Sequence, residues 1–261
     1  MRGMDAESIP RDPRANSAGA VLRHLVNQLR LTYGFNVEIE KGIPPGKGLG
    51  SSGASAAAAA YAALRLLGLR LPARKLVRLA ALGEKAVSGS PHADNVSASL
   101  LGGFTIVSGD YEVLRLDPPE MEIAIAVPEV YYENKTKLAR ELLPREVELE
   151  RAVANLAYAS RMSAAAALGD TSLFAESICD RLIEPYRARM IPNFYAVKEA
   201  ALEAGALGCS IAGGRPSVFA IGGDSREVGR AMAEAFREAG VRCILYYTKP
   251  SYFGVRILDE L

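Results

Sequence analysis

The run Ile43-Pro44-Pro45-Gly46-Lys47-Gly48-Leu49-Gly50-Ser51-Ser52-Gly53 limits what this chain can fold into more than any other segment. It holds two prolines and four glycines, which remove backbone donors and make regular structure costly. Before it, Phe35-Asn36-Val37-Glu38-Ile39-Glu40 alternates apolar and polar side chains, the pattern of a half-buried strand. After it, the alanine-rich stretch from Ala54 to Leu67 predicts a helix. A strand, a glycine loop and a helix start bring unhindered N–H groups and the positive end of a helix dipole to one place, as a polyphosphate requires. Ser51 and Ser52 add hydroxyls there. The same residues also suit a plain tight loop closed by a serine N-cap. Two phosphate motifs are excluded. Lys47 is followed by Gly48 and not by the Ser or Thr of a Walker A loop, and the Rossmann glycine spacing is absent.

Around this junction the pattern is mixed. Val21, Leu22, Leu25, Val26 and Leu29 recur at helical spacing behind a candidate cap at Asn16. A helix from Ala73 to Ala86 carries Glu84 and stops at Ser88-Gly89-Ser90-Pro91, and a short helix then holds His92-Ala93-Asp94-Asn95. Phe104 to Val107, Val113 to Leu116 and Ile123 to Val127 read as strands. From about Asn134 to Gly205 the pattern is mostly helical, broken at Pro144, Pro185 and Pro192. The tail reads as strand Cys209 to Ala212, a glycine turn, strand Val218 to Ile221, helix Arg226 to Ala239, and strands Cys243 to Tyr247 and Tyr252 to Ile257. The class is α+β, with a domain boundary expected near Pro128.

Composition narrows the partners. Thirty-one Lys and Arg against 30 Asp and Glu leave a net charge of +1, so no global field recruits nucleic acid or an anionic membrane, and phosphate binding must be local. Cys179, Cys209 and Cys243 are odd in number and set among apolar neighbours, as reduced core thiols are. With two histidines and no Cys-x-x-Cys pair, a zinc site is not expected. The polar residues after Met1 lack the apolar core of a signal peptide, and the longest apolar run is too short for a bilayer. A cytoplasmic protein with no nucleic-acid or membrane partner is expected.

Pro45-Gly46-Lys47-Gly48-Leu49-Gly50-Ser51-Ser52 resembles the central phosphate loop of the GHMP kinase family, named for galacto-, homoserine, mevalonate and phosphomevalonate kinases; Leu49 to Ser52 is the specific part. His92-Ala93-Asp94-Asn95-Val96 running on to Gly102-Gly103-Phe104, and Glu184-Pro185-Tyr186-Arg187, resemble the family's homoserine-kinase branch. The likeness runs from about Ile9 to the end, in the family's order. It implies an α+β two-domain GHMP kinase fold, divided as 1–128 and 129–261. The N-terminal half would be like domain 2 of ribosomal protein S5, the C-terminal half ferredoxin-like. It implies ATP and Mg²⁺ as cofactors, L-homoserine as the small-molecule acceptor, and leaves room for a homodimer.

Carried over residue by residue, the resemblance places Asn16 beside the adenosine and Pro45, Gly46, Lys47, Gly48, Leu49, Gly50, Ser51 and Ser52 at the phosphates. Ser52 and Glu84 would hold Mg²⁺, a cation that takes oxygen ligands and needs few from protein. Glu84, Asp94 and Asn95 form the expected catalytic group, and His92, Asn95 and Arg187 the substrate contacts. Mevalonate-type relatives carry an Asp in the stretch where His92, Asp94 and Asn95 lie, whereas homoserine kinases are thought to place an Asn there; Asp94 as base, and a route with no dedicated base, both stay open. His92 and Asp94 also suit a helix N-cap cluster after Pro91. Arg187 suits the amino acid's carboxylate, because a guanidinium contacts it in bidentate fashion, and Arg181 and Arg189 are weaker candidates. An acceptor of mevalonate type, or a non-catalytic ATP-binding protein, are the rival readings.

Two departures from the family pattern stand out. In Gly213-Gly214-Arg215-Pro216-Ser217, the third motif, Arg215 occupies a glycine position, so Gly214 is expected to take the φ > 0 conformation in its place, the alternative being that Arg215 points into the site and touches phosphate. The family's opening strand with its Asn-x-Gly motif has no counterpart before Asn16. A domain lacking its first strands would expose a sheet edge and weaken substrate binding.

Overall fold

The computed structural model describes residues 1–130 and 142–258. Residues 134–141 of the expected helical region lie outside that range. The chain divides into two compact units, 1–116 with 251–261, and 117–250. The boundary expected at Pro128 does not hold, because 123–128 is a strand whose ladder partners all lie later in the chain.

In the first unit Arg2–Gly3 (β1) pairs in parallel with Glu40–Lys41 (β2). The strand expected over 35–40 shrinks to its last residue plus Lys41, since among the described residues only Arg2 and Gly3 pair with it. Helix α1 (Ser17–Gln28) begins where the sequence places it: Asn16 Oδ1 accepts from the backbone N–H of Ala18 and Gly19. Helices α2 (Ser51–Leu66), α3 (Ala73–Ser88) and α4 (Asp94–Leu101) follow, then an antiparallel hairpin of β3 (Phe104–Val107) and β4 (Val113–Leu116). Ala56, Ala57, Ala60 and Ala63 of α2 are buried against Val21 and Leu25 of α1 and Val77 and Ala80 of α3. Such small side chains let the helices approach closely. At Gly83 the approach is closest, for a Cβ there would come within 2.5 Å of the Ser17 carbonyl oxygen and 2.8 Å of Ala56 Cβ. The next residue is Glu84, which this contact fixes against the start of α2. The strand expected over 252–257 is irregular; its backbone ties to α4 through Val255 N–H on the Leu100 carbonyl, 3.2 Å.

The second unit runs β5 (Ile123–Pro128), α5 (Leu149–Leu168), α6 (Thr171–Glu176), α7 (Glu184–Arg187), α8 (Phe194–Glu203), β6 (Gly208–Ile211), β7 (Val218–Ile221), α9 (Ser225–Glu238) and β8 (Cys243–Thr248). Its sheet order is β6-β7-β5-β8, all antiparallel. With α8 before β6 and α9 before β8, this is the split β-α-β topology of ferredoxin-like domains. Phe194, Val197, Val228, Met232 and Phe236 of the two helices form the core with Ala124, Val218 and Ala220 of the sheet. The three cysteines are free thiols, and burial pushes the Cys209 thiol up to about 12. No described helix is long and apolar enough to cross a membrane.

Candidate active site

The loop between β2 and α2 does what its composition demands. Gly46, Gly48 and Gly50 all have positive φ, 71°, 85° and 77°. Gly50 is the residue before the helix, and no side chain caps that end, so the serine N-cap reading is overturned. The leading N–H groups of an α-helix have no acceptor within it, and here they stay available to an anion. Gly50 is also sterically required, because a Cβ would lie 2.8 Å from Asn95 Oδ1. Asn95 thus packs over the start of α2.

The two serines divide. Ser51 is buried and its hydroxyl donates to the Ile43 carbonyl at 2.7 Å, so its side chain braces the loop and only its backbone can serve a phosphate. Ser52 donates a side-chain hydrogen bond to Glu84, and its carbonyl accepts from the Ser17 hydroxyl at 3.0 Å. Glu84 is 8% exposed. Burial pushes its carboxyl above the usual carboxylate range, while the Ser52 hydrogen bond and the His92 and Lys41 charges oppose the rise and Asp94 adds to it. Glu84, Ser52, His92 and Asp94 therefore form one electrostatic cluster at the loop. His92, Asp94 and Asn95 are exposed. The N-cap of α4 is Ala93, with no side-chain cap, so His92 and Asp94 are not spent on capping.

A hydroxyl and a buried carboxylate in contact at a helix N-terminus are a donor set suited to a hard divalent cation that draws its remaining ligands from phosphate and water. Among the described residues no group of three or more His, Cys, Asp or Glu side chains offers a fuller cage.

Asn16 serves the fold: besides capping α1 it donates Nδ2–H to the Pro10 carbonyl at 3.1 Å and is 6% exposed. Sequence reasoning missed Lys41, whose Nζ donates at 2.7 Å both to the Ser51 carbonyl and to Ser55 Oγ. A single Lys after an alternating segment reads as a solvated strand end, and only its 7% exposure reveals otherwise.

In the second unit, Asp180 accepts from the N–H groups of Leu182, Ile183 and Glu184, fixing the entry to α7. Glu184 is clasped by Lys198 Nζ and Ser210 Oγ, each at 2.6 Å. Arg187 ends this turn and donates Nη1–H to the Gly213 carbonyl at 2.8 Å, while its Nε is buried without a hydrogen-bond partner among the described residues. Arg187 thus meets the third-motif turn. The positive φ there, 61°, belongs to Gly213, not to Gly214 as expected. Arg215 keeps an ordinary backbone conformation and is half-buried; the turn has moved one residue upstream and no strain falls on the arginine.

Residues 16–103 match the model of the GHMP kinases N terminal domain, and residues 149–241 that of the GHMP kinases C terminal. The chain belongs to the GHMP kinase family. This GHMP kinase is 41% identical over 249 residues to a homoserine kinase of Pyrococcus abyssi, covering 94% of this chain and 83% of the relative. It is 40% identical over 243 residues to a homoserine kinase of Thermococcus gammatolerans, covering 92% and 82%. Among solved structures, a homoserine kinase from Cytophaga hutchinsonii superposes with a TM-score of 0.87 at 35% identity, covering 97% of this chain and 82% of that one. The GHMP kinase fold expected from the loop is the fold observed.

Proposed function

We propose that this GHMP kinase transfers the γ-phosphoryl group of ATP to the hydroxyl of L-homoserine, giving ADP and O-phospho-L-homoserine. The observation that carries this reading is the contact of Ser52 with the buried Glu84 carboxylate at the uncapped start of α2. The extended identity with homoserine kinases supports the choice of acceptor.

The free N–H groups of Gly50 to Gly53 would hold phosphate oxygens, aided by the helix dipole. Ser52 and Glu84 would hold Mg²⁺, which when bound neutralises charge on the phosphates. Glu84 must be ionised for that role, and the rise in its pKa puts a proton in competition with the metal at acid pH. The homoserine oxygen attacks the γ-phosphorus as the bond to the bridging oxygen of ADP breaks. The hydroxyl proton leaves late, as a loose transition state permits, to phosphate, to solvent or to Asp94. Asn95 and His92 would orient the acceptor, and Arg187 would pair with its carboxylate.

A coupled ADP-release assay with L-homoserine, mevalonate, shikimate and galactose tests the proposal. Turnover with homoserine above the others is expected. Preference for mevalonate would reassign the acceptor, and ATP-dependent thermal stabilisation with no ADP release from any acceptor would make the chain a nucleotide-binding protein.

A further inference from the structure

Lys41 is the one residue at the loop whose placement neither its sequence context nor the roles above explain. Its ammonium is buried, which costs free energy unless partners repay it. It finds the Ser51 carbonyl and the Ser55 hydroxyl, each at 2.7 Å, and Ser55 Oγ itself donates back to the Ser51 carbonyl at 3.1 Å. Two side-chain donors, Lys41 Nζ and Ser55 Oγ, thus converge on one carbonyl in the first turn of α2. Ser51 in turn anchors the loop through its hydroxyl on Ile43, and Glu84 feels the Lys41 charge.

We propose that Lys41 is a positioning residue of the nucleotide site: its ammonium pins the first turn of α2 through Ser51 and Ser55, holding the N–H groups and the Ser52 hydroxyl in register with bound phosphate. It also sets a positive charge beside the turn that receives the polyphosphate. The inference rests on the reading of Gly46 to Ser52 as the phosphate loop. Since small misplacements of binding groups are felt strongly in affinity and rate, the effect falls on the nucleotide and spares the acceptor.

The test measures the dissociation constant of MgATP by calorimetry, the KM for homoserine and the thermal midpoint, for the full chain and the variants K41M, S55A and S52A. K41M is expected to weaken MgATP about tenfold or more with the homoserine KM changed by less than about twofold, and S55A to weaken MgATP by about two- to threefold. K41M binding MgATP like the wild type would overturn the proposal, as would a homoserine KM that rises in step with the MgATP constant. Should K41M fail to fold, unchanged MgATP binding in S55A overturns it. S52A separates the two levels. Normal MgATP binding in S52A refutes the loop reading, whereas impaired S52A beside intact K41M refutes only the role of Lys41.

Discussion

Each unit buries a glutamate, and the two are treated differently. Glu184 in the second unit faces a lysine and a serine at 2.6 Å each, so its charge is met at contact distance. Glu84 in the first unit is as deeply buried, 8% against 7% exposed, and accepts a hydrogen bond from Ser52, yet burial still outweighs the charges of His92 and Lys41 in setting its pKa. The first carboxylate is an internal fastener that holds α7 to α8 and β6. The second keeps a negative potential at the loop that a cation can use. Sites held in this way trade stability for function.

Arg187 is the far end of the Glu184 fastening, and R187K sharpens the contrast most. Lysine keeps the charge but loses the planar fork, so the homoserine KM should rise about 10- to 100-fold while the ATP KM moves little. Initial-rate kinetics with each substrate varied in turn checks this. An equal rise in both constants would break the assignment of Arg187 to the acceptor. Second, G50A should weaken ATP about tenfold, because a φ of 77° strains alanine and its Cβ would press on Asn95. Calorimetric titration with MgATP reads it. Third, E184A should destabilise the fold by about 2–3 kcal/mol, below the cost for a fully buried pair because Lys198 is 22% exposed. Urea denaturation measures that loss.

The smallest effect is the most diagnostic of Glu84. A carboxyl whose folded pKa lies above its unfolded value costs stability that is absent at low pH, grows as pH rises through the ordinary carboxylate range, and is complete above the folded pKa. Removing the charge in E84Q should therefore raise the thermal midpoint of the ligand-free protein at neutral pH and leave it unchanged near pH 4, about the ordinary carboxylate value. Calorimetric scans at the two pH values check the difference. A lowered midpoint at neutral pH would make Glu84 a structural group like Glu184.

The loop and the helix after it were legible because glycines, prolines and alanines act locally: each fixes its own backbone. The ferredoxin-like half was legible as a succession of strands and helices, although its first strand lay on the wrong side of the expected boundary, since sheet membership is decided by distant partners. Phe35 to Ile39 alternate correctly, yet they form no strand, because alternation describes a face and pairing requires a neighbour. Lys41 was invisible for a related reason. Whether a lysine is solvated or buried depends on which distant segments meet it, here Ser51 and Ser55 of α2 and Gly3 of β1, which no local pattern encodes. Arg215 looked like strain in the sequence, and the structure moved the turn to Gly213 instead.

Turnover of E84Q beside E184Q, by ADP release at saturating MgATP and homoserine, decides between the two carboxylates. E84Q should lose nearly all Mg²⁺-dependent turnover while staying folded, and E184Q should keep most of its kcat with a lowered thermal midpoint. E84Q turning over like the wild type would remove Glu84 from the metal site and contradict the distinction drawn between the two halves.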